Sequence, residues 1–296
     1  MGVAVIVLSR ESRGVKRGKI PVYLERGAKR TFACAVEWPG WLRSGRDEGS
    51  ALQALLAAGP RYARALKPAR LGFSAPSDVS AFEVVARHKG NATTDFGAPD
   101  VVPAVDERDL DGSDVERTSA IMRAGWRAFD AAVARARGKR LAKGPRGGGR
   151  DLDAIVRHVV DAESGYLGAL GWKGPTGSSS SEEHRKTVLG GLAASARGDI
   201  PARGPRGGKR WRPRYFARRL TWHALDHAWG SRTARTNPRG RSIEWRDPRD
   251  VPVQCGRLTS PEGIVGAPAC AKWTKGARCS LTHLLHLRTR AFAGNL

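Results

Sequence analysis

The sequence feature that most constrains the fold is the stretch Trp211–Trp229, WRPRYFARRLTWHALDHAW, which has the pattern of one long helix. It contains no glycine, and its only proline, Pro213, lies in what would be the first turn, where a missing backbone N–H costs little. Residues at helical spacing form one stripe of this helix: Phe216, Leu220, His223 and His227. The apolar part of the stripe requires a core, so the rest of the chain is expected to pack around this helix.

The end of that stripe carries two imidazoles, His223 and His227, one helical turn apart on the same face. A His-x-x-x-His pair can hold two positions of a metal polyhedron, with ring nitrogens at about 2.0–2.1 Å from a zinc ion. Two surface histidines would satisfy the same spacing. Within this helix alone the surface interpretation is the simpler one, so a metal site requires a further ligand elsewhere in the chain.

The charge of the chain predicts attraction to anions. The 296 residues carry a formal net charge of +24, and the isoelectric point is near 11.1. Such a balance favours contact with nucleic acid, anionic surfaces or acidic ligands, but it does not determine the fold. The excess lies in basic segments rather than on one recognition helix: Gly138–Arg150, Pro201–Arg219 and the residues after Trp229. Binding to nucleic acid through these segments is therefore expected to be nonspecific and sensitive to salt.

Cysteine usage and hydropathy predict a cytoplasmic protein. The chain has four cysteines: Cys34, Cys255, Cys270 and Cys279. They form no C-x-x-C pair and follow no secretory signal, so a disulfide framework is not expected. The opening VAVIVL run is too short for a signal peptide, and no later segment reaches the length of a membrane span. The last three cysteines, with His283 and His286, fit no standard zinc-finger spacing, which favours incidental residues.

The N-terminal part of the chain has the pattern of a small α/β module. Residues 1–21 are expected to be an extension ahead of it. Four strands are predicted: Val22–Glu25, Thr31–Glu37, Leu42–Ser44 and Phe82–Ala86. Asp47–Leu66 carries the apolar face of a helix, which Gly59-Pro60 should break or kink. The module is expected to cover about residues 22–100, with a boundary in the proline- and acid-containing segment Pro99–Gly112.

The start of this module resembles the HicB-like modules, in which a curved antiparallel sheet packs on one helix. The residues that carry the resemblance are VYLERGAKRTFACAVEWPGWLRSG followed by DEGSALQALLAAGPRYARAL, and they cover about Val22–Leu66. The resemblance implies a role in binding partner proteins or small ligands, and it does not choose between them.

The second part of the chain, residues 113–229, has the pattern of four helices. The segments are Ser113–Arg137, Leu152–Leu170, a third from Ser181 that Gly190-Gly191 should weaken, and Trp211–Trp229. Ser113 or Asp114 is expected to cap the first helix, with Glu116 completing a capping box on Ser113. Asp151 or Asp153 is expected to cap the second. After Trp229 the periodic pattern stops, so residues 230–296 are interpreted as a disordered basic tail or as the product of a frame change in the coding DNA.

Three of the seven histidines fall on stripes that are predicted to face the core: His158, His223 and His227. Three imidazoles with an open position are the arrangement of a catalytic zinc site, in which a bound water or thiol loses its proton near neutral pH. A set of hydrogen-bonded core histidines is the alternative, and the residues alone leave the two equally open.

The motifs IVRHVVDAESGYL and WHALDH resemble those of the DinB/YfiT-like superfamily of metal-binding four-helix bundles. The resemblance covers about Ser113–Trp229, and it implies that His158, His223 and His227 are the metal ligands. It further implies a divalent zinc or nickel ion and chemistry on a low-molecular-weight thiol, since family members include thiol-S-transferases that use mycothiol or bacillithiol and a mycothiol-dependent maleylpyruvate isomerase. The chain departs from the family after the last helix, where ARTNPRGRS replaces an acidic, patterned continuation.

Nearby side chains are assigned more modest roles. Asp161, Glu163 and Asp226 are candidates for carboxylates that orient the imidazoles, and Asp226 is preferred because it lies between two of the candidate ligands. Tyr166 and Trp222 are assigned to packing rather than to catalysis. No catalytic acid or base can be chosen from the sequence.

The sequence therefore predicts an α+β protein with a small antiparallel sheet and one helix, an up-down four-helix bundle and a disordered basic tail. The leading function is a DinB-like metalloenzyme that activates a thiol or water, of the thiol-S-transferase or hydrolase type, on a small-molecule substrate. The alternative is a noncatalytic protein that binds a partner protein or nucleic acid through the HicB-like module and the basic segments. No membrane association is expected, and a homodimer is left open.

Overall fold

The computed structural model describes residues 18–138, 151–173 and 180–230, all of which fall within one compact unit. The described chain is α+β, with a four-stranded sheet near the N-terminus followed by helices. Most of the predicted N-terminal extension and all but the first residue of the predicted basic tail lie outside the described residues. The described part begins ahead of the predicted module, because the first strand already starts at Ile20.

The sheet is mixed, so the prediction of an antiparallel sheet is wrong in one pairing. Its strands are β1 (Ile20–Arg26), β2 (Thr31–Ala35), β3 (Leu42–Gly45) and β4 (Phe82–Lys89), in the order β3-β2-β1-β4. β1 pairs antiparallel with β2, and β2 with β3, but β4 pairs parallel with β1. A helix between β3 and β4 returns the chain to the end of the sheet at which β1 starts, and such a crossover gives a parallel neighbour.

Both faces of the sheet are covered, which explains why every residue of β2 is buried. Val22 and Leu24 face the first helix, and Tyr23 alternates to the opposite face. On that opposite face the sheet packs against Trp222, and Phe32 meets its ring edge to face at 6.3 Å between centroids. The sheet is therefore a central layer rather than a layer with one solvent-exposed side.

Of the predicted break or kink at Gly59-Pro60, a break is wrong, because the first helix, α1 (Glu48–Leu66), runs through Pro60 without interruption. Asp47 caps its start by accepting a hydrogen bond from the Ser50 backbone N–H at 2.7 Å. Gly59 is buried against the Trp41 ring, and the Trp41 indole N–H donates to the Leu55 carbonyl at 3.0 Å. These tertiary contacts hold the helix in register across the proline.

The remaining helices are α2 (Ala92–Phe96), α3 (Gly112–Ala136), α4 (Leu152–Leu170), α5 (Ser181–Ala196) and α6 (Pro213–Gly230). The predicted capping box on Ser113 is wrong, because Asp111 caps α3 and accepts from the Asp114 N–H at 2.8 Å. A carboxylate one residue outside the helix reaches the free N–H groups, whereas Ser113 already lies inside the first turn. Asp151 caps α4, as one of the two predicted alternatives.

The helices continue the core that starts at the sheet. One apolar cluster joins the inner face of β1, β2 and α1 to Ile121 and Ala124 of α3 and to Leu225 of α6. A second cluster fills the space between α3, α4, α5 and α6 and contains Phe216 and Leu220, the apolar half of the α6 stripe. The division into a module of residues 22–100 and a helical domain of residues 113–229 stays a prediction.

A buried ion pair connects α6 to the sheet layer. Arg218 and Asp106 are 4% and 0% exposed, and two guanidinium nitrogens donate to the Asp106 carboxylate at 2.7 and 2.8 Å. The same guanidinium donates to the carbonyls of Ala35 and Val36, each at 2.8 Å. The orientation of α6 about its axis is thus determined by directional contacts as well as by apolar packing. None of the helices in the described ranges has the length and apolar character that a bilayer crossing requires.

Candidate metal centre

Three histidines from two helices come together at one point. His158 lies on α4, and His223 and His227 lie one turn apart on α6. One ligand nitrogen from each ring lies within 4.8 Å of those of the other two. The ring centroids of His158 are 5.1 Å from those of His223 and of His227, and the last two are 4.6 Å apart. The three residues singled out in the sequence are therefore neighbours, and their binding of a metal stays a prediction.

The helical pattern explains this placement. His223 and His227 continue the stripe of α6 whose apolar half, Phe216 and Leu220, is fully buried, so the imidazoles are directed toward the same neighbours. α4 packs against α6 and brings His158 to them, beside the buried Val159. His223 is buried, and the other two imidazoles are half-buried.

The environment of His223 favours a neutral ring. Burial lowers the pKa of His223 well below its usual value of 6.5, and the neighbouring His227, His158 and Arg219 lower it further. Its Nδ1 atom is buried and has no hydrogen-bond partner in the described part of the chain. Burying a ring nitrogen without a hydrogen-bond partner costs free energy, which favours a bound ligand that contacts Nδ1 of His223. Three imidazoles that converge in this way could hold a divalent ion such as zinc or nickel.

An aromatic wall stands beside the three imidazoles. Tyr166 of α4 meets the His223 ring edge to face at 5.9 Å, and the Trp222 centroid lies 6.1 Å from it. Burial raises the pKa of the Tyr166 hydroxyl, so this group keeps its proton near neutral pH. Packing is the role that the sequence predicts for both residues, and the structure places that packing against the His223 ring.

Arg219 was not singled out from the sequence, although it belongs to this site. Its guanidinium carbon lies over the Trp222 ring at 4.7 Å and over the Tyr166 ring at 5.8 Å. Its Nε and Nη1 atoms are buried without a hydrogen-bond partner among the described residues. The available signal was its position four residues before His223, which places it on the same face of α6.

The candidate orienting carboxylates have partners of their own. Asp226 forms an ion pair with Arg43 of β3 at 3.6 Å, and its side chain is about half exposed. Glu163 is buried between helices, where it accepts a hydrogen bond from the Trp126 indole N–H at 2.7 Å and contacts His184 Nε2 at 3.0 Å. Asp161 is exposed. The role of Asp226 in orienting an imidazole stays a prediction, while Glu163 joins α3, α4 and α5.

The cysteines and histidines of the tail, from Cys255 to His286, lie outside the described residues. Comparisons of this chain with protein-family models, with curated proteins and with solved structures found no match.

Proposed function

We propose that α3, α4, α5 and α6 form an up-down four-helix bundle of the DinB-like type, and that this chain is a three-histidine metalloenzyme. His158, His223 and His227 would hold a divalent zinc or nickel ion. A bound ion of this kind supplies Lewis acidity that favours the deprotonation of a low-molecular-weight thiol or of water. The reaction would be a thiol-S-transfer, with a thiol such as mycothiol, or a hydrolysis.

The observation that carries this proposal is the convergence of three imidazoles, one of which, that of His223, has a buried Nδ1 atom without a hydrogen-bond partner among the described residues. A plain core would place apolar side chains here, as it does at Leu220 and Phe216, one and two turns earlier. Instead the chain keeps a neutral imidazole whose burial costs stability, which favours a ligand-binding role. Tyr166 and Trp222 support it, because their rings pack against His223 and would strengthen electrostatic interactions there by excluding water.

Metal content tests the proposal directly. The purified full chain should contain about one zinc or nickel ion per molecule by elemental analysis, as a single three-histidine site requires. A His223→Ala/His227→Ala double variant should lose that ion, and so should His158→Ala. His88→Ala is the matched control, since His88 lies on β4 outside the cluster, and it should retain the ion. Circular dichroism of each variant shows whether the helices are kept.

Two outcomes would overturn the metalloenzyme proposal. One is a wild-type protein without metal after purification and after dialysis against zinc or nickel. The other is an ion that stays bound in the double variant, which would place it elsewhere in the chain. Retained metal in His88→Ala with loss in the cluster variants would justify a screen of thiol and electrophile pairs.

The second candidate is a noncatalytic binding protein, and it rests on the formal net charge of +24. It predicts binding to a random-sequence DNA duplex that weakens steeply as salt rises and is indifferent to sequence. Fluorescence anisotropy across a salt series measures this. Such binding by a chain without a metal site would favour the second candidate over the first.

A further inference from the structure

We infer that Arg219 forms a carboxylate-binding subsite beside the three-histidine cluster, so that the small molecule taken by this site carries a carboxylate group. The choice of substrate class rests on the proposed function. The subsite itself is a property of this arginine and its neighbours and does not require a bound metal.

The first observation is an arginine two of whose three guanidinium nitrogens have no acceptor among the described residues. Nε and Nη1 of Arg219 are buried, and no hydrogen-bond acceptor reaches them within the described ranges. The preceding residue shows what a structural arginine looks like in this fold, because all three nitrogens of Arg218 donate to Asp106 or to backbone carbonyls. Burying guanidinium N–H groups without acceptors is costly, which favours an acceptor supplied by a ligand.

The second observation is the location of this unpaired group. Arg219 precedes His223 by four residues on α6, about 6 Å along the helix axis at a rise of 1.5 Å per residue. The two side chains share the same aromatic neighbours, since Tyr166 and Trp222 each contact both the guanidinium and the His223 ring. A molecule that reaches the histidines along this wall would therefore pass within reach of Arg219.

The third observation is the charge balance around the site. Glu163, the buried carboxylate of α4, is already bonded to Trp126 and to His184. Within the described residues no carboxylate reaches Nε or Nη1 of Arg219, and an anionic ligand would supply an acceptor.

The planar donor group of Arg219 favours a carboxylate. Its guanidinium lies over the ring of Trp222 and, at a longer distance, over the ring of Tyr166. A planar carboxylate matches the plane and the donor spacing of a guanidinium. A short thiol acid can place its carboxylate at Arg219 and its sulfur at the histidines, because only one helical turn separates the two.

A matched pair of ligands tests this inference on the cobalt(II)-loaded full chain. The probes are 3-mercaptopropionate and 3-mercaptopropionamide, which differ in the charge of one end. Visible absorbance of the cobalt ion reports metal binding, and the thiolate-to-cobalt charge-transfer band reports binding of each thiol. The acid should bind at least about tenfold more tightly than the amide, equivalent to about 1.4 kcal/mol. Arg219→Gln should reduce that ratio to near one with the metal retained, and Arg219→Lys should keep part of it.

The outcomes separate the two proposals. Equal affinities of the two thiols for the wild-type protein, or an unchanged preference in Arg219→Gln, would overturn the subsite and leave the metal centre standing. A protein that gives no cobalt spectrum would overturn the metal centre, and a metal-free titration then decides the subsite. In that titration acetate, but not acetamide, should shift the Arg219 Nε–Hε nuclear magnetic resonance signal, assigned by its absence in Arg219→Gln. An unchanged signal would contradict the inference.

Discussion

At the scale of single residues, the protonation of His223 is coupled to folding. Its pKa in the folded chain lies well below 6.5, chiefly because of burial, whereas the unfolded chain binds a proton near that value. Below pH 6.5 the unfolded state therefore binds more protons than the folded state. The free energy of unfolding of the metal-free protein should fall as the pH is lowered from 6.5, by at most about 1.4 kcal/mol per pH unit from this group.

Urea denaturation of metal-free protein at pH 7.5 and pH 5.5 measures this effect. His223→Gln removes the titrating group and keeps a polar side chain of similar reach, so its stability should fall less over the same interval. Equal losses in the wild type and the variant would show that His223 does not resist protonation in the folded chain. Above pH 6.5 the difference in the free energy of unfolding between the wild type and His223→Gln should change little with pH.

Asp106 and Arg218 provide the second prediction at this scale. The pair is fully desolvated and each carboxylate oxygen accepts from the guanidinium, so removing one charge leaves the other buried and unbalanced. Asp106→Asn should lower the free energy of unfolding by roughly 3–5 kcal/mol. Asp130→Asn is the matched control, because the Asp130–Arg185 pair has similar bidentate geometry but an exposed carboxylate, and it should cost about 1 kcal/mol or less. Similar urea midpoints for the two variants would contradict this account.

At the scale of elements, two adjacent glycines of α5 should respond to alanine in opposite directions. A Cβ atom at Gly190 would meet nothing within 4 Å, whereas one at Gly191 would lie 2.9 Å from the Trp172 ring and 3.0 Å from Leu167. Gly190→Ala should stabilise the protein by about 0.5–1 kcal/mol, because alanine favours the helix. Gly191→Ala gains the same propensity but overpacks the contact with α4, and should be destabilising by about 1–3 kcal/mol. Thermal unfolding of the two variants checks the opposite signs.

The same two glycines show how far the sequence could predict the elements. Helical periodicity located α4 and α6, and with them the stripe that brings His158, His223 and His227 together, because side-chain spacing depends on local geometry alone. The pattern could only mark Gly190 and Gly191 as weak points, since the ring that packs on Gly191 is that of Trp172, which follows the end of α4. A contact of long range decides which of the two glycines tolerates a side chain.

Two further features needed the fold before they could be found. The parallel pairing of β4 with β1 depends on the path of the crossover through α1, which no local pattern encodes. Arg218 and Arg219 are adjacent residues of the same type, yet Arg218 donates to Asp106 and to two backbone carbonyls, whereas Arg219 has two buried nitrogens without a partner among the described residues. Which of them is structural depends on a segment more than a hundred residues away in the chain.

At the scale of the whole molecule, the sheet and the helices share apolar contacts. Leu225 of α6 and Ile121 of α3 are fully buried in the cluster that contains Val22 and Leu24 of the sheet and Leu55 of α1. Trp222 covers the other face of the sheet, and Arg218 bonds to the end of β2. Since α6 contributes to every one of these contacts, the position of the histidine cluster depends on the sheet as well as on the neighbouring helices.

This arrangement predicts that the sheet and the helices unfold together. Leu192 of α5 is fully buried in the cluster between helices and is absent from the one that includes the sheet. Leu192→Ala should therefore lower stability by about 2–5 kcal/mol through a lost helical contact alone. In native-state hydrogen exchange, the backbone amide of Cys34 in β2 should then lose as much protection as that of Leu220 in α6, because both exchange only through global unfolding. Leu55→Ala, placed in α1 on the sheet side, should give the same equal losses.

If Leu192→Ala weakened the protection of Leu220 and left that of Cys34 unchanged, the module of residues 22–100 would be a separate folding unit, and the contacts made by Arg218 and Leu225 would be those of an interface between domains.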